Sequence, residues 1–295
     1  MLLTIFTPTY NRAYTLGRLY ESLCRQSCKD FEWLLIDDGS TDETKSLIRG
    51  FIEEGKISIT YHYKNNGGLY TGYNAAYELI TTELSVCVDS DDFMPDNAVE
   101  LILAKWKAEG SGKYAGIVGL DFYKDSTRPI GGFFPDGMYE CFFLDLYIKR
   151  IHRGDSKYVL RTDLMKSVAP QVGFDGEKNF NPVYLQLKVC DKYPLLVLNE
   201  NLCFVDYQQD GMANNIYRQY VDSPRSFAKL RLLEMNLKRS TFFNRLRCAI
   251  HYVSSCLIAR QPIFSNENNH KMLAAVALLP GWIWSKYILY KEKHY

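Results

Sequence analysis

The chain has 295 residues, 47% of them hydrophobic and 14% aromatic, enough to bury a full core in one large domain or a domain with an appendage. Its formal net charge of +1 lacks the strong basic excess of a nucleic-acid-binding protein, so no nucleic-acid partner is expected. From Tyr207 onward there are 13 Lys and Arg against 5 Asp and Glu, while residues 1–206 carry 22 against 29; the acidic and basic parts are expected to do different work.

Eight cysteines lie scattered with no CxxC pair and no His at zinc-finger spacing, and they read as reduced core thiols. Cys24 and Cys28, four apart on one expected helix, read as packing rather than as metal ligands. The opening MLLTIFTPTYNR has too short an apolar run and no basic leader for a signal peptide. No segment reaches the roughly 18 apolar residues of a spanning helix. The expectation is a cytoplasmic chain whose membrane contact, if any, is peripheral, on the inner face of the plasma membrane.

In chain order, 2–7 is a short apolar strand, 14–27 carries Leu16, Leu19 and Leu23 at helical spacing, and 31–36 is a second strand. Asp37 to Asp42 is a turn, with Ser40 or Thr41 able to cap a helix running to about Glu53. A strand over 57–63, a helix over 71–81, a strand over 84–88, a helix over 97–109 and a strand over 115–122 follow. Such alternation implies crossover connections and an α/β fold, a mostly parallel sheet covered by helices. Ligands in that architecture sit beyond the carboxyl ends of the strands. After Tyr123 the rhythm breaks into Gly, Pro and aromatic-rich loops, then resumes with a strand at 158–160, a helix over 182–192 and a strand over 195–205. From Ser223 the pattern is helical and basic, two amphipathic helices broken near Ser240. An apolar stretch, a break at Pro280-Gly281 and an aromatic-basic segment end the chain.

Three carboxylates, Asp89, Asp91 and Asp92, follow the strand at 84–88 within four residues. They repel one another unless a cation is present, and carboxylates at a strand end suit a hard divalent ion that neutralises a diphosphate. The bland reading is a solvated turn before the next helix. Two further strand ends bear polar groups: Thr7-Pro8-Thr9-Tyr10-Asn11-Arg12 and Asp37-Asp38-Gly39-Ser40-Thr41-Asp42. A carboxylate such as Asp38 can accept a hydrogen bond from a base imide, and an aromatic such as Tyr10 can lie against the ring.

In the order P-x-Y-N-R, D-D-G-S-x-D, D-S-D-D, these motifs resemble the inverting family 2 glycosyltransferases of the Rossmann-like GT-A fold, especially bacterial surface-polysaccharide enzymes. The resemblance is strong over about 1–100 and weaker to about 210. It implies a glycosyltransferase domain over 1–210, with a nucleotide-binding half at 1–123, an acceptor half at 124–210, and a helical, basic extension at 211–295. By position it puts Thr7, Pro8, Tyr10, Arg12, Asp37 and Asp38 in the nucleoside pocket, Asp89 and Ser90 at the ribose and diphosphate, and Mn2+ or Mg2+ on Asp91 with Asp89. Gly68 and Asn74 fall in the family's Gly-Gly loop and the helix after it, where Leu69 and Tyr70 replace the Lys and His of many relatives. An inverting enzyme needs one general base, which relatives carry in an E-D motif. Here that position reads Asp175-Gly176-Glu177-Lys178, with Glu177 first and Asp175 second, and Lys178 in place of the second acid; both acids also suit a helix cap. Tyr207 to Met212 matches a late Y-x-x-D-G-M element, a loop over the diphosphate or a simple turn at Asp210-Gly211.

The implied partners are a nucleotide-sugar donor, by default a UDP-sugar, and a glycan acceptor carried on a lipid diphosphate such as undecaprenyl diphosphate. Trp282, Trp284, Tyr287 and Tyr290 among Lys286, Lys291 and Lys293 suit a segment lying on an anionic membrane surface, or a helix packed on the domain. Two other functions compete. A sugar nucleotidyltransferase would need a G-G-x-G-x-R loop that Pro8 to Arg12 lacks; a non-catalytic nucleotide-sugar- or polysaccharide-binding module is compatible with Lys178.

Overall fold

The computed structural model describes residues 1–148, 151–207 and 215–294. The chain divides into two compact units, one of Met1–Gly67, Thr71–Pro170 and Lys188–Gln208, the other of Gly68–Tyr70, Gln171–Leu187 and Gln209–Tyr295.

The first unit is built on a sheet of β1 (Leu3–Thr9), β2 (Phe31–Asp37), β3 (Ile59–Tyr63), β4 (Leu84–Cys87), β5 (Gly116–Tyr123), β6 (Glu140–Cys141), β7 (Ser156–Arg161) and β8 (Leu195–Val205), in the order β3-β2-β1-β4-β7-β5-β8-β6. The strands β1 to β4 pair in parallel, β7 runs antiparallel to both β4 and β5, β8 is parallel to β5, and β6 is antiparallel to β8. The parallel half matches the alternation of the sequence; β7 makes the whole sheet mixed. Every residue of β1 is buried, as a strand covered on both faces requires.

The helices of this unit bury one face each. In α1 (Ala13–Cys24) that face is Leu16, Leu19, Tyr20 and Leu23. In α2 (Thr44–Glu54) it is Ile48 and Phe51, and the helix stops at Gly55 in the left-handed region (φ 64). The first helix ends at Cys24, three residues before the expected end, so Cys28 lies beyond it. Neither Ser40 nor Thr41 caps α2: Ser40 Oγ accepts from Asn11 N–H, and Asp42 Oδ1 accepts from Thr44 N–H instead. The remaining helices are α3 (Leu69–Leu79), which begins in the second unit, α4 (Ala98–Glu109), α5 (Phe143–Ile148) and α6 (Thr162–Val168). The short α5 and α6, and β6, were not legible in the loop-rich stretch after Tyr123.

Trp33 on β2 is fully buried and stacks with Tyr20 and Phe51, ring centroids 6.2 and 6.3 Å away. Its indole N–H donates to Thr7 Oγ1 (3.0 Å), and the Thr7 hydroxyl donates to Val88 O (2.8 Å). One side chain thus ties β1 and β2 to the exit of β4, where the acidic motif begins.

In the second unit, α7 (Val183–Cys190) starts in the segment 171–187, and α8 (Ile216–Asp222), α9 (Pro224–Asn236), α10 (Phe242–Ala259), α11 (Lys271–Val276) and α12 (Leu278–His294) complete it. Pro224 occupies the first turn of α9, where its missing N–H leaves no gap. Thr241 Oγ1 caps α10 by accepting from Asn244 N–H (3.3 Å). Ala228, Leu232 and Met235 of α9 pack with Cys248, Tyr252, Val253 and Cys256 of α10. The expected break near Ser240 is the loop between α9 and α10. The expected break at Pro280-Gly281 is absent. Pro280 stands in the first turn of α12, and Gly281 lets that helix lie on α10, since a Cβ there would meet Val253 Cγ1 at 2.6 Å.

Replacing Thr7 by Val keeps the shape but strands the Trp33 N–H and the Val88 carbonyl. Thr7→Val is expected to destabilise the chain by about 1–3 kcal/mol, read as a shift in the urea midpoint with an unchanged slope. An unaltered midpoint would contradict the tie.

Candidate functional site

The register of the parallel half brings three motif-bearing strand ends together. Thr9 pairs with Asp37 and Phe6 with Cys87, and Val88 N–H donates to Phe6 O (3.1 Å). The loops leaving β1 and β2 are laced to each other. Asn11 adopts the left-handed region (φ 53), and its Oδ1 accepts from Thr41 N–H (2.8 Å). Asp37 is fully buried and accepts from Ser40 N–H (2.8 Å) and Tyr61 O–H (2.7 Å); burial, and then Asp37, holds the Tyr61 phenol above its usual pKa.

Asp38, also buried, receives the Lys64 ammonium, the Gly67 N–H (3.0 Å) and the Asn66 amide (3.2 Å). Tyr10 is half exposed beside these groups in sequence. The Arg12 guanidinium lies over the Tyr14 ring and donates to its hydroxyl. Pro8 backs onto Gly72 of α3, whose Cβ would come within 3.1 Å of it, and Asn74 is half-buried on the same helix.

The acidic motif forms the turn after β4. Asp89 is exposed, Ser90 and Asp92 are buried, and Asp91 lies between these extremes. Burial, and then the adjacent Asp89, pushes the Asp91 carboxyl above its usual range. Behind the turn stands Lys157 of β7, two residues before Val159, which pairs with Val86. Its ammonium is 3.8 Å from Asp92 and 3.9 Å from Asp121 of β5. Burial raises the Asp92 and Asp121 carboxyls to about 7 against the pull of Lys157. Burial opposes the Lys157 charge, but Asp121, Cys203, Asp92 and Asp89 outweigh it and hold the ammonium well above its usual pKa.

Arg18 of α1 fastens the turn from the other side. It donates to Asp91 O and to Asp206 Oδ2 (2.7 Å), and Asp206 N–H donates to Asp92 Oδ1 (3.2 Å). Phe93 and Phe204 exchange backbone hydrogen bonds of 3.1 and 2.7 Å. The sequence reading missed Lys157, Asp121 and Arg18. The available signal was Asp121 within an apolar strand and Lys157 immediately before the apolar residues of another; Arg18 carried none.

Among the described residues, no group of three or more His, Cys, Asp or Glu side chains is arranged to hold a metal ion. A divalent ion of the Mg2+ type does not need one, because it is commonly held by one or two carboxylates plus substrate phosphates. Asp89, which is exposed, and Asp91, which is partly so, are two such carboxylates two residues apart in one turn.

The second unit holds the other predicted acids. Glu177 is buried. Its Oε1 accepts from Arg225 N–H (3.0 Å) and Nε–H (2.9 Å), and its Oε2 accepts from Ser226 N–H (2.8 Å) and O–H (2.7 Å). These bonds fill the donor groups at the start of α9. Asp175 is exposed, and its carbonyl accepts from the Arg225 guanidinium. Gly68 has φ +92, and a Cβ there would come within 2.0 Å of Lys178 O, so only glycine lets the Gly-Gly loop meet this turn. Asp210, Gly211 and Met212 lie outside the described residues.

The sequence profile described as glycosyl transferase family 2 matches residues 4–161. "Glycosyltransferase GlyG" of Streptococcus pneumoniae is 29% identical over 101 residues, 34% of this chain and 34% of that protein. The matched stretch therefore spans about a third of that relative's length. Among solved structures, S. aureus TarS 1–349 in complex with UDP-GlcNAc gives a TM-score of 0.62 at 20% identity, covering 97% of this chain and 79% of that one. The mannosyltransferase PcManGT of Pyrobaculum calidifontis, in complex with GDP-Man and Mn2+, gives 0.54 at 17% identity, covering 98% and 84%. These likenesses identify the fold as GT-A. With its profile matched over more than half of its length, the chain belongs to glycosyl transferase family 2.

Proposed function

We propose that the chain is an inverting glycosyltransferase that moves a sugar from a nucleoside diphosphate sugar, a UDP-sugar in the first instance, to a hydroxyl of a glycan acceptor. The acceptor is a lipid-diphosphate-linked oligosaccharide of surface-polysaccharide synthesis, used on the cytoplasmic side of a membrane. The observation that carries this reading is the alignment of the Tyr10, Asp38 and Asp89–Asp92 strand ends at one end of a parallel sheet, where such sheets bind ligands. The UDP-GlcNAc and GDP-Man complexes of the two structural neighbours support a nucleotide-sugar donor.

In this reading Tyr10 lies on the base, with Thr7, Pro8, Arg12 and Asp37 shaping its pocket. Asp38, fixed by Lys64 and Gly67, accepts the imide N–H. Asp89 and Ser90 orient the ribose and diphosphate, and Gly68 and Asn74 belong to the loop and helix that border the donor. A Mn2+ or Mg2+ ion on Asp91 and Asp89 would supply the charge that stabilises the leaving diphosphate. The PcManGT complex with Mn2+ supports that cofactor. The acceptor oxygen forms a bond to the anomeric carbon as the bond to the diphosphate oxygen breaks, and its proton passes to a carboxylate of the 174–178 turn. The sequence pattern favours Glu177. Its four hydrogen bonds at the start of α9 leave that carboxylate poorly placed to take a proton, an observation that favours the exposed Asp175.

Product identity tests the function. Incubated with nucleotide sugars, Mn2+ and a glycan acceptor, the chain is expected to release nucleoside diphosphate; pyrophosphate would indicate a nucleotidyltransferase, and no release a binding module. The base is tested by Glu177→Gln and Asp175→Asn, each measured for UDP affinity and for transfer. The true base loses transfer by at least about 10²-fold with donor affinity intact. Near-normal transfer in both variants would remove this turn from proton transfer.

A further inference from the structure

The helices α11 and α12 follow one another with a single residue between them. Ala274, Ala277, Gly281, Ser285 and Ile288 are buried along one face, and Gly281 of that face lies against Val253 of α10. Among the described residues, intrachain packing buries that face, and Tyr287 beside it meets Tyr217 of α8 edge to face. A second apolar stripe recurs at helical spacing of four, three and four residues: Met272, Val276, Leu279 and Ile283 are 86%, 69%, 67% and 55% exposed. Trp282 and Tyr290, 51% and 58% exposed, adjoin it. A solvent-facing stripe of this kind, running over about three helical turns, marks an interaction surface.

The charge around the stripe narrows the occupant. Lys271 opens α11, and Lys286, Lys291 and Lys293 follow the apolar part, against Glu292 as the one acid between His270 and His294. The Lys286 and Lys291 ammonium groups lie over the Trp282 and Tyr287 rings at 5.9 Å. A second copy docking through the same patch would bring equal patches, and hence lysines, face to face. Anionic headgroups instead complement the lysines, while Trp and Tyr side chains suit the boundary between headgroups and acyl chains. No helix among the described residues is long and apolar enough to cross a membrane.

We infer that the Met272–Val276–Leu279–Ile283 stripe, with Trp282 and the flanking lysines, is a membrane-contact face that lays α11 and α12 on an anionic lipid surface. The face differs from the one suggested by the aromatic pattern alone, since Trp284 is half-buried, stacks on Tyr287 (5.2 Å) and meets His251 edge to face (5.4 Å). The inference does not rest on the transferase reading.

The test is co-sedimentation of the full chain with vesicles of phosphatidylcholine alone or with about one third phosphatidylglycerol. Binding is expected only to the anionic vesicles and should weaken with salt. Leu279→Ser with Ile283→Ser should reduce it at least about tenfold, the loss of two buried apolar side chains. Lys286→Gln should reduce it about fivefold. Equal recovery with both vesicle types, or wild-type binding in the double variant, would overturn the inference. So would a dimer in sedimentation that the double variant dissolves, which would give the stripe to a second copy. Nucleoside diphosphate release with a soluble acceptor should be the same in the double variant, so membrane contact and transfer fail independently.

Discussion

The Lys157 ammonium stands within 3.9 Å of Asp92 and Asp121 in a part of the sheet almost closed to water, and the acidic turn depends on it. Asp89, Asp91 and Asp92 share four consecutive positions, and each ionised neighbour raises the free energy of the others. Lys157 is the cation that faces the buried Asp92 carboxylate of this turn. An antiparallel β7 beside a parallel β4 delivers that charge, because Lys157 near the start of β7 then comes level with the exit of β4. Breaking a buried pair typically costs about 3–5 kcal/mol, so the position of Lys157 is a strong constraint on the turn. Arg18, Asp206 and the Phe93–Phe204 bridge fix the same turn from the opposite side. Asp89 is left exposed and Asp91 partly so, while Asp92 is spent on anchoring.

A similar division runs through the other motifs. Of the paired acids after β2, Asp37 is consumed by Ser40 and Tyr61, and Asp38 is oriented by the loop after β3. Thr7, chosen from the sequence as a pocket residue, has its hydroxyl engaged between Trp33 and Val88. In the second unit Glu177 serves the N-terminus of α9 with both oxygens. Each motif thus contains residues that hold the site as well as residues that can face a ligand, and spacing alone does not separate them.

The parallel half was readable because it alternates buried strands with helices of clear period; strands β1 to β5 and helices α1 to α4 lie within a few residues of their expected ends. The region after Tyr123 was less so, since α5 and α6 are only six and seven residues long and show too little periodicity. Lys157 was missed because the strand was read from Tyr158, where the apolar residues begin. The reading of Pro280-Gly281 as a break failed for a different reason. Proline in a first turn and glycine at a helix crossing are both compatible with helix, and the second depends on Val253, 28 positions away in the chain. The stripe on α11 and α12 was masked likewise, because a helix apolar on two faces has no single polar side to reveal its period.

The proposed transfer requires Asp38 to read the base and Asp91 to hold a cation that receives the diphosphate. Calorimetric titration of UDP into the wild type, Asp38→Ala and Asp91→Asn, with Mn2+ and with EDTA, addresses both at once. UDP should bind the wild type with Mn2+ and lose most of its affinity in EDTA. Asp91→Asn should bind weakly in both conditions, and Asp38→Ala should lose about 1–3 kcal/mol while keeping its response to Mn2+. Equal affinity for UDP in Mn2+ and EDTA, with both variants matching the wild type, would contradict it.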